Sequence, residues 1–253
     1  MVDCKPADTP MIPNQRLYIE DKAKVKAANQ SQYQRLVGKL IYLAHTRPDI
    51  AHSVGVVSQF MHQPQQHHMD AVWRIIRYLK GTAGDGVLFQ KNNHLEAQIF
   101  TDAGYGGEKG DRKSTSGYFA LVGGNLVTWK SKKQKVVALS SAEAEFRGIT
   151  RGVTEALWIK KLLTEIGFPP SSSIKIMCDN EAAIAISENS VQHDRTKHIE
   201  IDRHFIKEKL EAEVISLPYV RSEDQLAGIL TKSVNGRLFK DVLFKLNIGN
   251  PTI

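Results

Sequence analysis

The chain has very little cysteine: Cys4 and Cys178 are the only two in 253 residues. That excludes a disulfide-stapled secreted scaffold and suits a reducing compartment. No apolar run approaches the roughly 18 residues of a membrane-spanning helix. No signal-peptide pattern opens the chain, so an intracellular protein, cytoplasmic or nuclear and without a membrane partner, is expected. There is no internal repeat and no Cys/His spacing suited to zinc. His193 and His198 flank Arg195 and Lys197 without a cysteine or third ligand, which favours a structural or backbone-contact role. No small-molecule cofactor is expected. What remains is ordinary in bulk, with 42% hydrophobic and 24% charged residues. The exception is a net charge of +7 and a pI near 9.3, which favours a polyanionic partner.

Residues 1–28 show no sustained period, and prolines at 6, 10 and 13 predict an irregular lead-in. Three helices are expected over 29–90. Tyr33, Leu36, Val37, Leu40, Ile41 and Ala44 share a face behind a Ser31 cap. Ile50, Val54, Val57 and Met61 follow Pro48. Met69, Val72, Trp73, Ile76 and Leu79 precede Lys80-Gly81. The period then shifts to two. Strands are predicted at Val87–Gln90, Ala97–Thr101, Tyr118–Val122, Leu126–Lys130 and Val136–Leu139. A long helix over about 142–166 follows, with Phe146, Ile149, Val153, Ala156, Leu157, Leu163 and Ile166 inward. Then come a strand at Ile174–Cys178, an Ala/Ile-rich helix opened by Asp179-Asn180, and a helix over about 199–211. Another strand is expected at Val214–Val220. Ser222 and Gln225 stand at capping-box spacing, predicting a helix to about Lys232, with a further helix after Asn235-Gly236. The three tryptophans, at 73, 129 and 158, are expected in cores. Strands in hairpins followed by strands alternating with helices imply an α/β protein with a mixed sheet.

Asp102 and Asp179 each follow an apolar strand directly. An Asp ahead of glycines, as at 102, is equally a turn residue. If the two strands are parallel neighbours, both carboxylates emerge at the end of the sheet where such folds bind ligands. The long helix opens Ser140-Ser141-Ala142-Glu143-Ala144-Glu145. Both glutamates suit a helix N-terminus, but Glu143 stands at capping-box spacing from Ser140, which leaves Glu145 for other work. Two Asp and one Glu make an oxygen-only donor set, suited to Mg²⁺ or Mn²⁺ rather than zinc. Cys178 adjoins Asp179 without a partner base and reads as a small buried hydrophobe.

Several strings carry a family resemblance: Arg47-Pro48-Asp49-Ile50-Ala51, Thr101-Asp102-Ala103, Ser114-Thr115-Ser116-Gly117-Tyr118, Ala142-Glu143-Ala144-Glu145-Phe146, Cys178-Asp179-Asn180, Arg195-Thr196-Lys197-His198-Ile199 and Leu230-Thr231-Lys232. Their order resembles the C-terminal end of copia-type retrotransposon Pol polyproteins, over nearly the whole chain. The resemblance implies a thumb or connection remnant of reverse transcriptase over 29–90, a ribonuclease H-like fold over 93–232, and a C-terminal helix and tail over 233–253. It implies endonucleolytic cleavage of RNA in RNA–DNA hybrids, with Asp102, Glu145 and Asp179 as catalytic metal ligands for two Mg²⁺ ions that Mn²⁺ can replace. The implied partners are the hybrid and the rest of a Pol polyprotein. No Tyr-x-Asp-Asp motif is present, so no polymerase activity is expected.

The chain departs from the family where Ala227-Gly228 stands for the family's Ala-Asp. A fourth carboxylate is missing at Gly228, with Asp224 one turn earlier as a candidate substitute. The alternative to a weakened nuclease is a catalytically dead, nucleic-acid-binding remnant. Lys130, Lys132, Lys133 and Lys135, with Arg112 and Lys113, form either a solvated charged loop or phosphate contacts to the hybrid; the resemblance favours the second.

Overall fold

The computed structural model describes residues 3–13, 15, 17–20, 26–107, 111–188 and 197–251, with only the backbone at 197–199. In chain order the elements open with helices α1 (Gln30–Leu43), α2 (Ala51–Ser58) and α3 (Gln66–Gly81). Strands β1 (Gly86–Val87), β2 (Ala97–Gly104), β3 (Thr115–Val122) and β4 (Asn125–Lys133) follow, then helix α4 (Ser141–Glu165). The remainder comprises β5 (Ile174–Met177), α5 (Glu181–Glu188), α6 (Lys197–Glu211), β6 (Ile215–Ser216), α7 (Gly236–Lys245) and β7 (Ile248–Gly249). The chain divides into two compact units, one of residues 1–88, 107–112 and 232–253, the other of residues 89–106 and 113–231. Among the described residues, no helix is long and apolar enough to cross a membrane.

The first unit is built on α1–α3. Asn29, rather than Ser31, caps α1: its side chain accepts from Gln32 N at 3.0 Å. Pro48 opens a 3₁₀ turn that leads into α2, as its fixed φ and missing N–H allow. The buried Arg47 guanidinium binds Asp49 at 2.6 Å and donates to Thr82 O at 3.0 Å, while the Tyr78 hydroxyl donates to Asp49 at 2.6 Å. This network holds the face of α3 so that Ile75 and Tyr78 are buried, where periodicity pointed to Ile76 and Leu79. Strand β1 pairs antiparallel with β7.

The second unit holds a five-stranded sheet in the order β4-β3-β2-β5-β6. Strands β2, β3 and β4 are antiparallel, and β5 and β6 run parallel to β2. Helix α4 lies on one face, burying Phe146, Ile149 and Val153 with Ile99 and Ile176. Its approach needs Gly152, where a Cβ would stand 2.6 Å from Thr101 Cγ2 and 3.2 Å from Ile176 Cγ2. An antiparallel meander followed by a long helix and parallel strands on the other side is a ribonuclease H-like fold, with α/β architecture as expected.

Several expected elements differ. Strand β4 runs on to Lys133, so three of the lysines lie on a strand rather than a loop. Val136–Leu139 forms no strand; Leu139 is 83% exposed, Val136 and Val137 are exposed too, and only Ala138 is buried, against Ala103 and Ala144. Val214–Val220 contracts to β6 and one isolated bridge between Cys178 and Tyr219. Ile166 and Trp158 are at least half exposed; the buried positions in this part of α4 are Ile159 and Leu163, so Trp158 lies on the helix's outer face. The helix expected over 222–232 is a 3₁₀ turn, Leu226–Leu230, capped by Gln225.

Candidate metal centre and nucleic-acid surface

Strands β2 and β5 are parallel neighbours, with Phe100 opposite Met177. Two residues further along each lie Asp102 and Asp179, so both carboxylates leave the sheet at the same end. Asp102 is still within β2 and only 2% exposed. Asp179 lies just past β5, half-buried, and its carboxylate accepts from the Ser222 hydroxyl at 2.7 Å. This bond takes Ser222 away from the capping role that its spacing suggested.

Glu145 arrives from the second turn of α4 and is 6% exposed. Its Oε1 accepts from the backbone N of Ala103 at 3.0 Å, which ties it to the residue following Asp102. Glu143 is occupied elsewhere. Its own N–H bonds the Ser140 hydroxyl at 3.1 Å, its carboxylate accepts from Leu139 N at 2.7 Å, and it pairs with Arg147 at 2.8 Å. The capping interaction and the Arg147 pair together give Glu143 a structural task.

Glu145, Cys178 and Asp179 each offer a ligand atom within 4.8 Å of the others. The fully buried Cys178 thiol is pushed up to about 12, first by burial and then by the negative charge of Glu145, with smaller contributions from Asp179 and Asp102. It therefore stays protonated near neutral pH, as a small buried hydrophobe does. The thiol also lies within reach of the fields of all three expected carboxylates. Two carboxylates beside a protonated thiol suit a hard cation held by oxygen. The Asp102 carboxylate is not in that group of three; its Oδ2 accepts from the Thr231 hydroxyl.

Gly228 lies within the 3₁₀ turn, buried, and its carbonyl accepts from Thr231 N at 3.2 Å. Asp224 is exposed on the preceding turn rather than on a shared helical face, since no helix forms there. Thr231 and Ser222 were not legible as site residues. Both are hydroxyls whose partners lie 129 and 43 residues away in the chain, and no local spacing signals that.

Lys130, Lys132 and Lys135 line a groove of about 950 Å³ between β4 and α4, together with Arg147 and Arg151. The Arg151 guanidinium donates to Lys132 O at 2.9 Å. The two arginines, one helical turn apart, share the groove with Glu143, Glu155 and Asp202, and Arg147 is paired with Glu143, which leaves Arg151 as the added cation. Lys133 is half-buried on β4, and neither it nor Lys113 lines this groove. Arg112 belongs to the first unit, in the left-handed region at φ 51°. His193 and Arg195 lie outside the described residues, as does the His198 side chain.

No protein-family model matches the chain. It is 40% identical over 248 residues to the retrovirus-related Pol polyprotein from transposon RE1 of Arabidopsis thaliana, an alignment covering 98% of this chain and 17% of that protein. It is 37% identical to the corresponding polyprotein from transposon TNT 1-94 of Nicotiana tabacum, covering 95% of this chain and 18% of that protein. Among solved structures, LC11-RNase H1 in complex with an RNA/DNA hybrid aligns at 14% identity and a TM-score of 0.40, covering 54% of this chain and 94% of that one. The chain thus spans less than a fifth of the length of these polyproteins. It belongs to the copia-type retrotransposon Pol polyproteins, and the sheet of its second unit has the strand order of a ribonuclease H-like fold.

Proposed function

We propose that the chain is a metal-dependent ribonuclease H that cleaves the RNA strand of RNA–DNA hybrids, with Asp102, Glu145 and Asp179 as its catalytic carboxylates. The observation that carries this reading is the parallel register of β2 and β5, continued to Asp102 and Asp179, with Glu145 bonded to Ala103 between them. Converging carboxylates repel one another, which makes sense of a divalent cation, Mg²⁺ or Mn²⁺, as their counter-charge. At such a site the cation, when bound, supplies charge neutralisation and acidifies a water for attack on phosphorus.

The chain's own residues then have separable tasks. Asp102, rigid within a strand, and Asp179, at the next strand's end, hold oxygen ligands on the sheet edge. Glu145 supplies the third from the helix, oriented by its bond from Ala103 N. Lys130, Lys132 and Lys135, joined by Arg151, bind backbone phosphates of the hybrid, with Lys113 and Lys133 adding charge in the same unit, and Arg112 is a separate candidate phosphate contact in the first unit. The three helices of the first unit are the reverse-transcriptase thumb or connection remnant, and the rest of a Pol polyprotein is their natural partner.

A second reading, a nucleic-acid-binding remnant without catalysis, is favoured by one feature: Gly228 stands where the family supplies a fourth carboxylate. The test is cleavage of an end-labelled RNA–DNA hybrid by the purified chain across a Mg²⁺ and Mn²⁺ series, beside Asp102→Asn. We expect weak, metal-dependent cleavage that Asp102→Asn abolishes while melting as a folded protein. Hybrid binding without cleavage at any metal concentration would establish the second reading instead.

A further inference from the structure

The geometry points to Thr231 as a positioning residue that orients the Asp102 carboxylate toward a divalent cation, carried on a 3₁₀ strap that takes over part of the task of the missing acid at 228. Thr231 is buried at 7% exposure, and its hydroxyl donates to Asp102 Oδ2. The Gly228 carbonyl stands 3.2 Å from the same hydroxyl, so Thr231 links position 228 to Asp102. An ionised carboxylate is acceptor-only, and a hydroxyl bonded to one oxygen fixes the plane in which the other is presented. Outer-sphere hydrogen bonds of this kind orient ligands and set the basicity of the oxygens.

The strap holds this hydroxyl in place through contacts with four strands. The Ser131 hydroxyl of β4 donates to Leu230 O at 2.6 Å, and the Gln225 side chain donates to Met177 O of β5 at 3.2 Å. On β3, a Cβ at Gly117 would lie 2.5 Å from Leu230 Cβ and 3.2 Å from Thr231 Cγ2. On β2, a Cβ at Gly104 would lie 2.9 Å from Thr231 O. Glycine at both positions lets the strap sit this close. The same stretch of chain also delivers the Ser222 hydroxyl to Asp179, so each aspartate at the sheet edge receives one hydroxyl from the segment after β6.

The inference rests on the reading of Asp102 as a metal carboxylate, and the experiment separates the two. Mn²⁺ alone is titrated into the full chain, with free Mn²⁺ read by electron paramagnetic resonance, for wild type, Asp102→Asn, Thr231→Val and Thr231→Ser. Thr231→Val is isosteric and keeps the methyl at Gly117, whereas Thr231→Ser keeps the hydroxyl. The expected result is Mn²⁺ affinity about tenfold or more weaker in Thr231→Val, with Thr231→Ser within about threefold of wild type. If Thr231→Val lowers the melting temperature in chelator, the Thr231→Ser and Thr231→Ala pair isolates the hydroxyl in the same way. Wild-type affinity, or tighter binding, in both hydroxyl-free variants while Asp102→Asn loses Mn²⁺ overturns the role of Thr231 and leaves the metal reading intact. Equal binding by wild type and Asp102→Asn, or no binding by either, overturns both.

Discussion

The two glutamates at the head of α4 make opposite contributions, and exchanging each for glutamine shows it. Glu145 is buried with ligand atoms no more than 4.8 Å from those of Asp179. At an effective dielectric of about 20, two carboxylates at that separation repel by roughly 3 kcal/mol. Asp179 is only half-buried, and solvent screening leaves about 1 kcal/mol of that as net destabilisation. Glutamine removes the charge and keeps an oxygen for the Ala103 N–H. Glu145→Gln is therefore expected to melt about 2–4 °C higher than wild type in chelator, yet to lose hybrid cleavage and most of the stabilisation by Mg²⁺. Glu143→Gln gives up the Arg147 pair and a charge at the helix N-terminus while keeping an acceptor for Leu139 N. It should lose about 1 kcal/mol, with cleavage retained. Scanning calorimetry with and without Mg²⁺, beside the cleavage assay, reads each of these quantities. Loss of cleavage in Glu143→Gln and its survival in Glu145→Gln, or a lower melting temperature for Glu145→Gln in chelator, would refute the assignment.

Other substitutions and conditions test separate parts of the chain. Gly228→Asp should melt lower than wild type in chelator, since it adds a charge near Asp102 in a buried turn, and should gain more from added Mg²⁺ and cleave faster; an identical Mg²⁺ response in calorimetry would count against it. Lys130→Gln and Lys132→Gln should each reduce the slope of log hybrid affinity against log salt by about 1, measured by fluorescence anisotropy, and unchanged slopes would remove the groove from the binding surface.

The fold was largely legible because its main signals are local. The apolar runs of β2 and β5, the glycine-rich turn between β3 and β4, and the helical periodicity along the 25 residues of α4 are each local signals. The positions of Asp102, Asp179 and Glu145, as distinct from their proposed role, were legible for a related reason: each ends an apolar strand or opens a helix, so their placement follows once β2 and β5 pair in parallel. What was not legible depends on distant partners. The α3 face is set by Tyr78 reaching Asp49, 29 residues away. The capping-box spacing of Ser222 and Gln225 is real in sequence, but Asp179 claims the serine and Met177 O claims the glutamine side chain. The turn that replaces the expected helix is held by strands it is not adjacent to in sequence. Val136–Leu139 misled for the opposite reason, because β-favouring residues form a strand only when a neighbouring edge is available.

His68 supplies a pH test that is independent of the proposed metal centre. It is fully buried in the first unit, stacked on Phe60 at 3.8 Å between ring centroids. Its Nδ1 accepts from Gln65 N at 3.0 Å, which only an unprotonated Nδ1 can do, and its Nε2 lies 3.2 Å from Tyr18 O as the donor. Burial first, and then the nearby His67, push its pKa down to about 4, against a small opposing effect of the Tyr18 carbonyl. A depressed pKa means that the unfolded chain binds the proton more readily than the folded one. The stability this site contributes is thus fully present above the unfolded value of about 6.5 and falls as pH drops toward 4. The loss over that window is bounded by roughly 3 kcal/mol. Replacing His68 by Gln keeps an acceptor and a donor on a side chain that does not titrate, at some cost in stacking. Denaturant midpoints from pH 8 to pH 4 should therefore fall less steeply for His68→Gln than for wild type. Parallel curves would mean that the proton enters without breaking the bond from Gln65 N, and that α3 does not depend on a neutral imidazole at its start.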